Sequence, residues 1–421
     1  MTKSSFKTLS FLLLILTSLL LTFSFLPEVR AETKILSITP FSGKVGTTVQ
    51  LTANVSTQNG QYKLMFDKDE LLDGNASGND VTAPFGVPHT FEGDHTVMIV
   101  DTATGENDTA TFAVIASYTL ETDVPEPPAQ CQEGDHVMIF VNITGGKSSY
   151  TYNLTVQTPS ENLTYEALKS INTTDFGDFY GNLAYPDGFS AGANTNLTGE
   201  YKILLNTTLA TQQFSIGLTN CTEYHRFQTV DIKAVYKPNE NVTLAISGKD
   251  VDHSENVTAD LDGIIHYTNW NVPSNASMGR YTVNITSISP NPTTKTRPDV
   301  QYFWVPGFDV NITTRNLAGE PVGNVALEAF EHGKSVAKKT SDLKGLAAMK
   351  LEVGNYSCRA IFEDHEIGNF SIEVVNETLL DFYCSLTSMR ILVTDKDNNR
   401  IPFADVYETP KNQTFSTHAN G

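Results

Sequence analysis

Along most of the chain, apolar and polar positions alternate with a period of two. The alternating runs are rich in β-branched and aromatic residues and are separated by Gly, Pro, Asn and Asp. This pattern predicts short β-strands joined by turns. Long helical periodicity is missing, and the best helical candidate, around Tyr165 to Ile171, is short. One continuous apolar run, the sixteen residues Phe11 to Leu26, breaks the alternation. Lys3 and Lys7 precede it, and Val29-Arg30-Ala31 supplies small residues at the third and first places before a cleavage point. That is the pattern of a secretory signal peptide over residues 1–31. The run is short for a bilayer span, which takes about 20 apolar residues; an uncleaved signal anchor is the alternative.

One strand–corner–strand unit recurs four times. Phe85-Gly-Val87-Pro88 leads to Gly93-Asp-His95-Thr-Val97, and the chain returns through Phe112-Ala-Val114. Leu183-Ala-Tyr185-Pro186 leads to Gly199-Glu-Tyr201 and returns through Phe214-Ser-Ile216. Trp270-Asn-Val272-Pro273 leads to Gly279-Arg-Tyr281 and returns through Phe303-Trp-Val305. Met349-Lys-Leu351 leads to Gly354-Asn-Tyr356 and returns through Phe370-Ser-Ile372. Pro cannot donate to a strand ladder and ends the incoming strand. Gly permits the positive φ expected at the corner. The Tyr two residues later buries its ring and bonds its hydroxyl to upstream backbone, which resembles the tyrosine corner of immunoglobulin-like sandwiches. His95 replaces that Tyr in the first unit and is read as a corner residue.

The glycines lie 106, 80 and 75 residues apart, the size of one sandwich each. The predicted fold class is therefore all-β, with tandem immunoglobulin-like β-sandwich domains after a signal peptide. The expected edges are 34–116, 118–222, 226–306 and 307–383. Short connections between them favour a rod. The stiff segment Val124-Pro125-Glu126-Pro127-Pro128 is assigned to the edge of the second domain.

Three resemblances refine this outline. Residues 38–52, with Pro40, Gly43, Gly46, Val49 and Leu51, resemble the opening of IPT/TIG domains, with Met65-Phe66 on the following strand. In the fourth unit, Gly319-Glu-Pro321-Val322, Thr340-Ser-Asp342-Leu-Lys-Gly345 and Gly354-Asn-Tyr356 resemble Cna-B-type and carboxypeptidase-regulatory-like sandwiches of surface-protein stalks. Some Cna-B-type domains carry a Lys–Asn cross-link from the first strand. Phe308 to Thr313 holds no Lys, so the cross-link is not expected there. The second and third units look immunoglobulin-like, the third with a likeness to macroglobulin-type modules. The fourth motif restarts at Ile391-Leu-Val393-Thr394, with Pro402 and Val406 repeating Pro321 and Val325, so 384–421 is read as the truncated start of a further such domain.

Export permits disulfides. Cys131 is expected just before a strand of the second domain and Cys221 at the end of its last strand, a plausible pair worth roughly 4–5 kcal/mol on the chain-entropy model. Cys358 and Cys384 form the second expected pair, tying the fourth domain to its successor. Buried thiols are the alternative.

Asn-x-Ser/Thr occurs at Asn54, Asn75, Asn107, Asn142, Asn153, Asn162, Asn172, Asn196, Asn206, Asn220, Asn241, Asn256, Asn275, Asn284, Asn311, Asn355, Asn369, Asn376 and Asn412. Composition alone would give about six such sites. The excess predicts a glycosylated outward-facing surface, although Thr/Asn-rich strands account for part of it. Dense acceptors on an acidic exported chain resemble archaeal cell-surface proteins.

The net charge of −20 excludes the basic footprint that nucleic-acid binding requires. Metalloprotease, nucleophile-elbow, CxxC and P-loop patterns are all missing. Asp395-Lys-Asp397-Asn-Asn399 has calcium-loop spacing, but Arg400 stands where Gly is required, so a turn is expected. Asp67, Asp69 and Asp73 are a similar case. Trp270 and Trp304 are read as core residues, with an exposed sugar-stacking platform as the alternative. No catalytic, metal or cofactor residue is assigned and no cofactor is expected. The expected role is non-enzymatic: structural, stalk or adhesive, at the cell surface or secreted. Its partners would be envelope components, extracellular glycans or proteins, with membrane attachment only through an anchor. The alternative is an accessory region of a larger secreted peptidase or glycoside hydrolase.

Overall fold

The computed structural model describes residues 31–159, 163–288, 295, 298–388, 391–408 and 413–416. Most of the signal-peptide pattern, Asn162, Asn412 and the end of the restarted motif lie outside them. Every regular element among the described residues is a β-strand, and the fold is a series of tandem immunoglobulin-like sandwiches. The short helical candidate is strand too: Thr164–Glu166 pairs with Leu154–Gln157. The chain divides into two compact units. The first takes residues up to Val124 with His136–Thr195 and Gly199–Ser215; the second takes Pro125–Asp135, Asn196–Thr198 and the chain from Ile216 onward.

In the first unit, Lys34–Thr39, Thr48–Asn54 and Asp80–Gly86 make one sheet. The facing sheet holds Ser42–Gly43, Asn107–Val114, Gly93–Asp101, Gln61–Phe66 and Asp69–Asn75. Ser42 and Gly43 run parallel to Ala113 and Val114, so the first strand pairs with both sheets. Alternation drives Val49, Leu51, Leu64, Ile99 and Phe112 inward, where each is fully buried. Next in this unit, Val137–Thr144 lies between Ser117–Thr122 and Phe179–Tyr185. Its Val137, Ile139, Val141 and Ile143 face a core that also holds Leu154, Val156 and Ile203.

In the second unit, Asn241–Gly248, Val251–Thr258, Gly279–Ser287 and Asp299–Val305 form one sheet over the pair Ile232–Val235 and Ile264–Tyr267. The next sandwich sets Leu346–Leu351, Phe308–Arg315 and Thr378–Tyr383 against Lys334–Thr340, Ala326–Glu331, Gly354–Phe362 and His365–Val374. The segment Pro125–Asp135 packs in this unit: Cys131 and Gln132 run parallel to Ile216 and Gly217. Asp405–Glu408 and Gln413–Ser416 form an antiparallel ribbon.

The corners are built as the repeat implies. Gly93, Gly199 and Gly279 take φ of +132°, +127° and +135°, a region that a Cβ disfavours. Gly354 departs from that expectation, since its φ is not positive. Space is the requirement there: an added Cβ would sit 3.1 Å from Glu331 Oε1 and 3.3 Å from Arg226 Nη1. The Tyr281 hydroxyl donates to the Ser277 carbonyl at 2.8 Å, and Tyr356 donates to Glu352 at 2.8 Å, each four residues upstream. His95 does the same work in the first sandwich. Its Nε2 lies 2.8 Å from the Phe91 carbonyl, again four residues back, and its Nδ1 lies 2.7 Å from Asp67 Oδ2. The buried ring also stacks on Phe66.

Two outcomes test this account. Tyr281→Phe and Tyr356→Phe keep the rings and remove one hydrogen bond each, so each should cost about 1 kcal/mol in denaturant unfolding. A second concerns Asp101, whose carboxylate accepts from Ser56 Oγ, Thr57 N–H and Ala103 N–H at 2.8, 2.7 and 3.0 Å. Burial alone would raise its pKa, but these donors hold it down at about 2. An unfolded Asp titrates near about 3.9, so this contribution is intact above that value and is lost as pH falls through about 2. The first sandwich should weaken across that window, and Asp101→Asn should flatten its pH profile in acid-titrated melting.

Candidate functional site

Many of the sequon asparagines sit where the strand period puts them, and the others lie in turns and connecting segments. In Asn-x-Thr within a strand, residues one and three share a face and the middle residue points the other way. Asn142-Ile143-Thr144, Asn153-Leu154-Thr155, Asn241-Val242-Thr243 and Asn355-Tyr356-Ser357 each bury the middle side chain and expose the asparagine. None of the seventeen described sequon asparagines is buried. In the sandwich after Ile216, two such triplets face one another in register. Asn241 lies opposite Thr258 and Thr243 opposite Asn256. The Thr258 hydroxyl donates to Asn241 Oδ1 at 2.6 Å, and Thr243 donates to Asn256 Oδ1 at 3.0 Å. Both bonds use the oxygen of the amide, whereas a glycan attaches through its nitrogen.

No disulfide joins the four cysteines. The register sets Cys131 opposite Ile216, while Cys221 bridges to Ala129. Cys384 is fully buried in the same core as Cys358. It therefore does not lie in the connection to a following domain, and any bond between the two would close within one sandwich. Burial pushes the Cys358 thiol up to about 11, and the Cys384 thiol donates to the Arg315 carbonyl at 3.0 Å.

Sequence reasoning passed over a second cluster, within the second unit. Arg226, 6% exposed, comes from the segment that precedes the Ile232–Val235 strand. Its Nη1 and Nη2 donate to the two oxygens of Glu331 at 2.5 and 3.1 Å, and its Nε donates to the Ala276 carbonyl at 2.9 Å. Its backbone N–H donates to Glu352 Oε2 at 2.7 Å, while Glu352 Oε1 lies 2.5 Å from His225 Nδ1. The His225 ring stacks on Phe308 with centroids 3.9 Å apart. One arginine thus joins two successive sandwiches through a forked, charge-assisted contact. A cavity of about 460 Å³ adjoins it, lined in part by Lys249, Asp250, Met278, Lys334 and Tyr356. Its walls carry both signs of charge, and the arginine is already held by protein acceptors.

Among the described residues, no group of three or more His, Cys, Asp or Glu side chains is placed to hold a metal. Asp395 Oδ1 accepts from the backbone of Asp397 and Asn399 at 2.8 and 2.9 Å, which makes an ordinary turn. Trp270 is buried, but Trp304 is 50% exposed and does not join the core. Along Asp299–Val305 the inward places go to Asp299, Phe303 and Val305, so period two turns Val300, Tyr302 and Trp304 outward.

No protein-family model and no curated protein matches the chain. Solved structures do resemble it. The Bacillus anthracis TIE protein is 12% identical, with 86% of this chain and 76% of that one covered, at a TM-score of 0.19. BcpA, the major pilin subunit of Bacillus cereus, is 13% identical over 57% of this chain and 95% of its own, at 0.20. The BSP domain of a biofilm associated protein is 10% identical over 82% and 96%, at 0.14. At such scores the likeness supplies no functional inference.

The arginine junction makes a firm prediction. Arg226→Ala leaves the mostly buried Glu331 without its cation, while Glu352 keeps the backbone N–H of residue 226 and His225; the loss is toward the lower end of the about 3–5 kcal/mol for a broken buried pair. Calorimetry should resolve a lower, separate unfolding transition in the variant where the parent chain unfolds these two sandwiches together.

Proposed function

We propose that this chain is a glycosylated, non-enzymatic protein of the cell surface or extracellular space, with a structural, stalk or adhesive role. The observation that carries the proposal is the outward placement of every described glycan acceptor, combined with the secretory pattern at the N-terminus. A glycan needs a solvent-facing asparagine. Asn142, Asn153, Asn241 and Asn355 occupy the outer faces of strands whose intervening residues fill the cores, and others such as Asn206 and Asn275 lie in turns. Sugars on those faces would shield strands from proteases and from pairing with other chains. The partners that fit are envelope components or extracellular glycans and proteins.

The experiment is peptide-resolved mass spectrometry of the chain purified from its native cells, together with protease shaving of those cells intact. Sugar additions at several of Asn75, Asn142, Asn241 and Asn355, and release of its peptides by shaving, are expected. Bare peptides at all four acceptors, or a chain protected until lysis, would refute the proposal.

A further inference from the structure

A lysine and two carboxylates lie buried together in the second unit, away from any surface they serve. Glu133 is fully buried, and the side chains of Lys295 and Asp299 are 4% and 5% exposed. Lys295 Nζ is in hydrogen-bond contact with Glu133 Oε2 and lies 2.6 Å from Asp299 Oδ2. It also sits 4.6 Å over the Tyr236 ring, whose hydroxyl donates to Asp299 Oδ2 at 2.7 Å. Glu133 Oε2 accepts a further bond from the Val235 N–H at 2.9 Å, whereas its Oε1 is buried with no hydrogen-bond partner. An unpartnered buried carboxylate oxygen is costly and calls for an explanation.

We propose that Lys295 and Glu133 condense into an intramolecular amide, with Asp299 as the base. The three groups divide the work by their surroundings. Burial pushes the Glu133 carboxyl well above the usual carboxylate range, which favours its neutral acid form. Transfer of one proton from the Lys295 ammonium to Glu133, carried on Oε1 because Oε2 accepts from the Val235 N–H, gives a neutral amine beside a neutral acid, and the low-dielectric site disfavours the ion pair they replace. Nζ attacks Glu133 Cδ, and Asp299 takes the second proton from nitrogen. That proton passes to the departing hydroxyl, the Cδ–Oε1 bond breaks and one water leaves. No oxidant, reductant or further reactant is required. Oε2, already held by the Val235 N–H, remains as the amide carbonyl, and the unpartnered Oε1 is the oxygen lost. The new amide N–H donates to Asp299, which keeps its bond from Tyr236. Asp299 is a poorer acceptor for the link, because it lies four residues from Lys295 and is already engaged by Tyr236.

The test is peptide mapping of the full chain after denaturation. The expected result is one branched peptide that joins the segments around Glu133 and Lys295, lighter by one water than their sum, with tryptic cleavage after Lys295 lost. Separate, full-mass peptides for the two segments would overturn the proposal, as would a water loss mapped to Lys295 and Asp299. Lys295→Arg keeps the positive charge and should restore two separate peptides. Asp299→Asn should leave the peptides unlinked in most molecules; a link formed to the same extent in that variant would overturn the role of the base. A circular dichroism spectrum matching the parent shows that either variant has kept its strands.

Discussion

A hydrogen bond from an aromatic side chain to the backbone four residues upstream holds three of the four corners of this fold. Sandwiches of this size bury a modest fraction of their surface, so the point at which the chain crosses from one sheet to the other must be fixed. Tyr281 and Tyr356 fix it with a hydroxyl, and His95 with a ring nitrogen. In each case the ring fills the core while the polar atom bonds a backbone carbonyl upstream of the corner. The strand leaving the corner then has its register set, and every inward position after it follows by alternation.

The second constraint is ionic and lies between sandwiches. Arg226 is held by a carboxylate fork and a backbone carbonyl, and its neighbour His225 stacks on an aromatic of the following sandwich. Buried charges of this kind contribute little net stability but penalise any arrangement that leaves one unpaired. The junction is thus specified by chemistry as well as by the shortness of the connecting chain. The requirement on Gly354 comes from the same contact, since its missing Cβ leaves room for Glu331 and Arg226.

Much of the fold was legible in the sequence, because strand alternation and corner residues are local signals. The corner glycines, the aromatic two residues on and the returning strand all stand within short reach of one another. Trp304 was misplaced because its hydrophobicity was weighed above its phase; Phe303 and Val305 already occupied the inward places. The pairing of Glu133 with Lys295 was out of reach, since the two are far apart in sequence and neither sits in a spaced motif. Arg226 was passed over for the same reason: its partners come from the next sandwich. The turn character of Asp395–Asn399 was legible, because Arg400 lacks what a cation loop needs.

The overlap between the glycan-acceptor triplet and the strand period has an evolutionary corollary. In the triplets that lie within strands, such as Asn142-Ile143-Thr144, Asn153-Leu154-Thr155, Asn241-Val242-Thr243 and Asn355-Tyr356-Ser357, the middle residue is constrained by packing while the asparagine faces solvent and is nearly free to change. Acceptors can therefore arise or vanish by single outer-face substitutions that leave the interior untouched. The pattern of acceptor sites on such a chain is able to drift quickly across lineages while the framework beneath it stays the same.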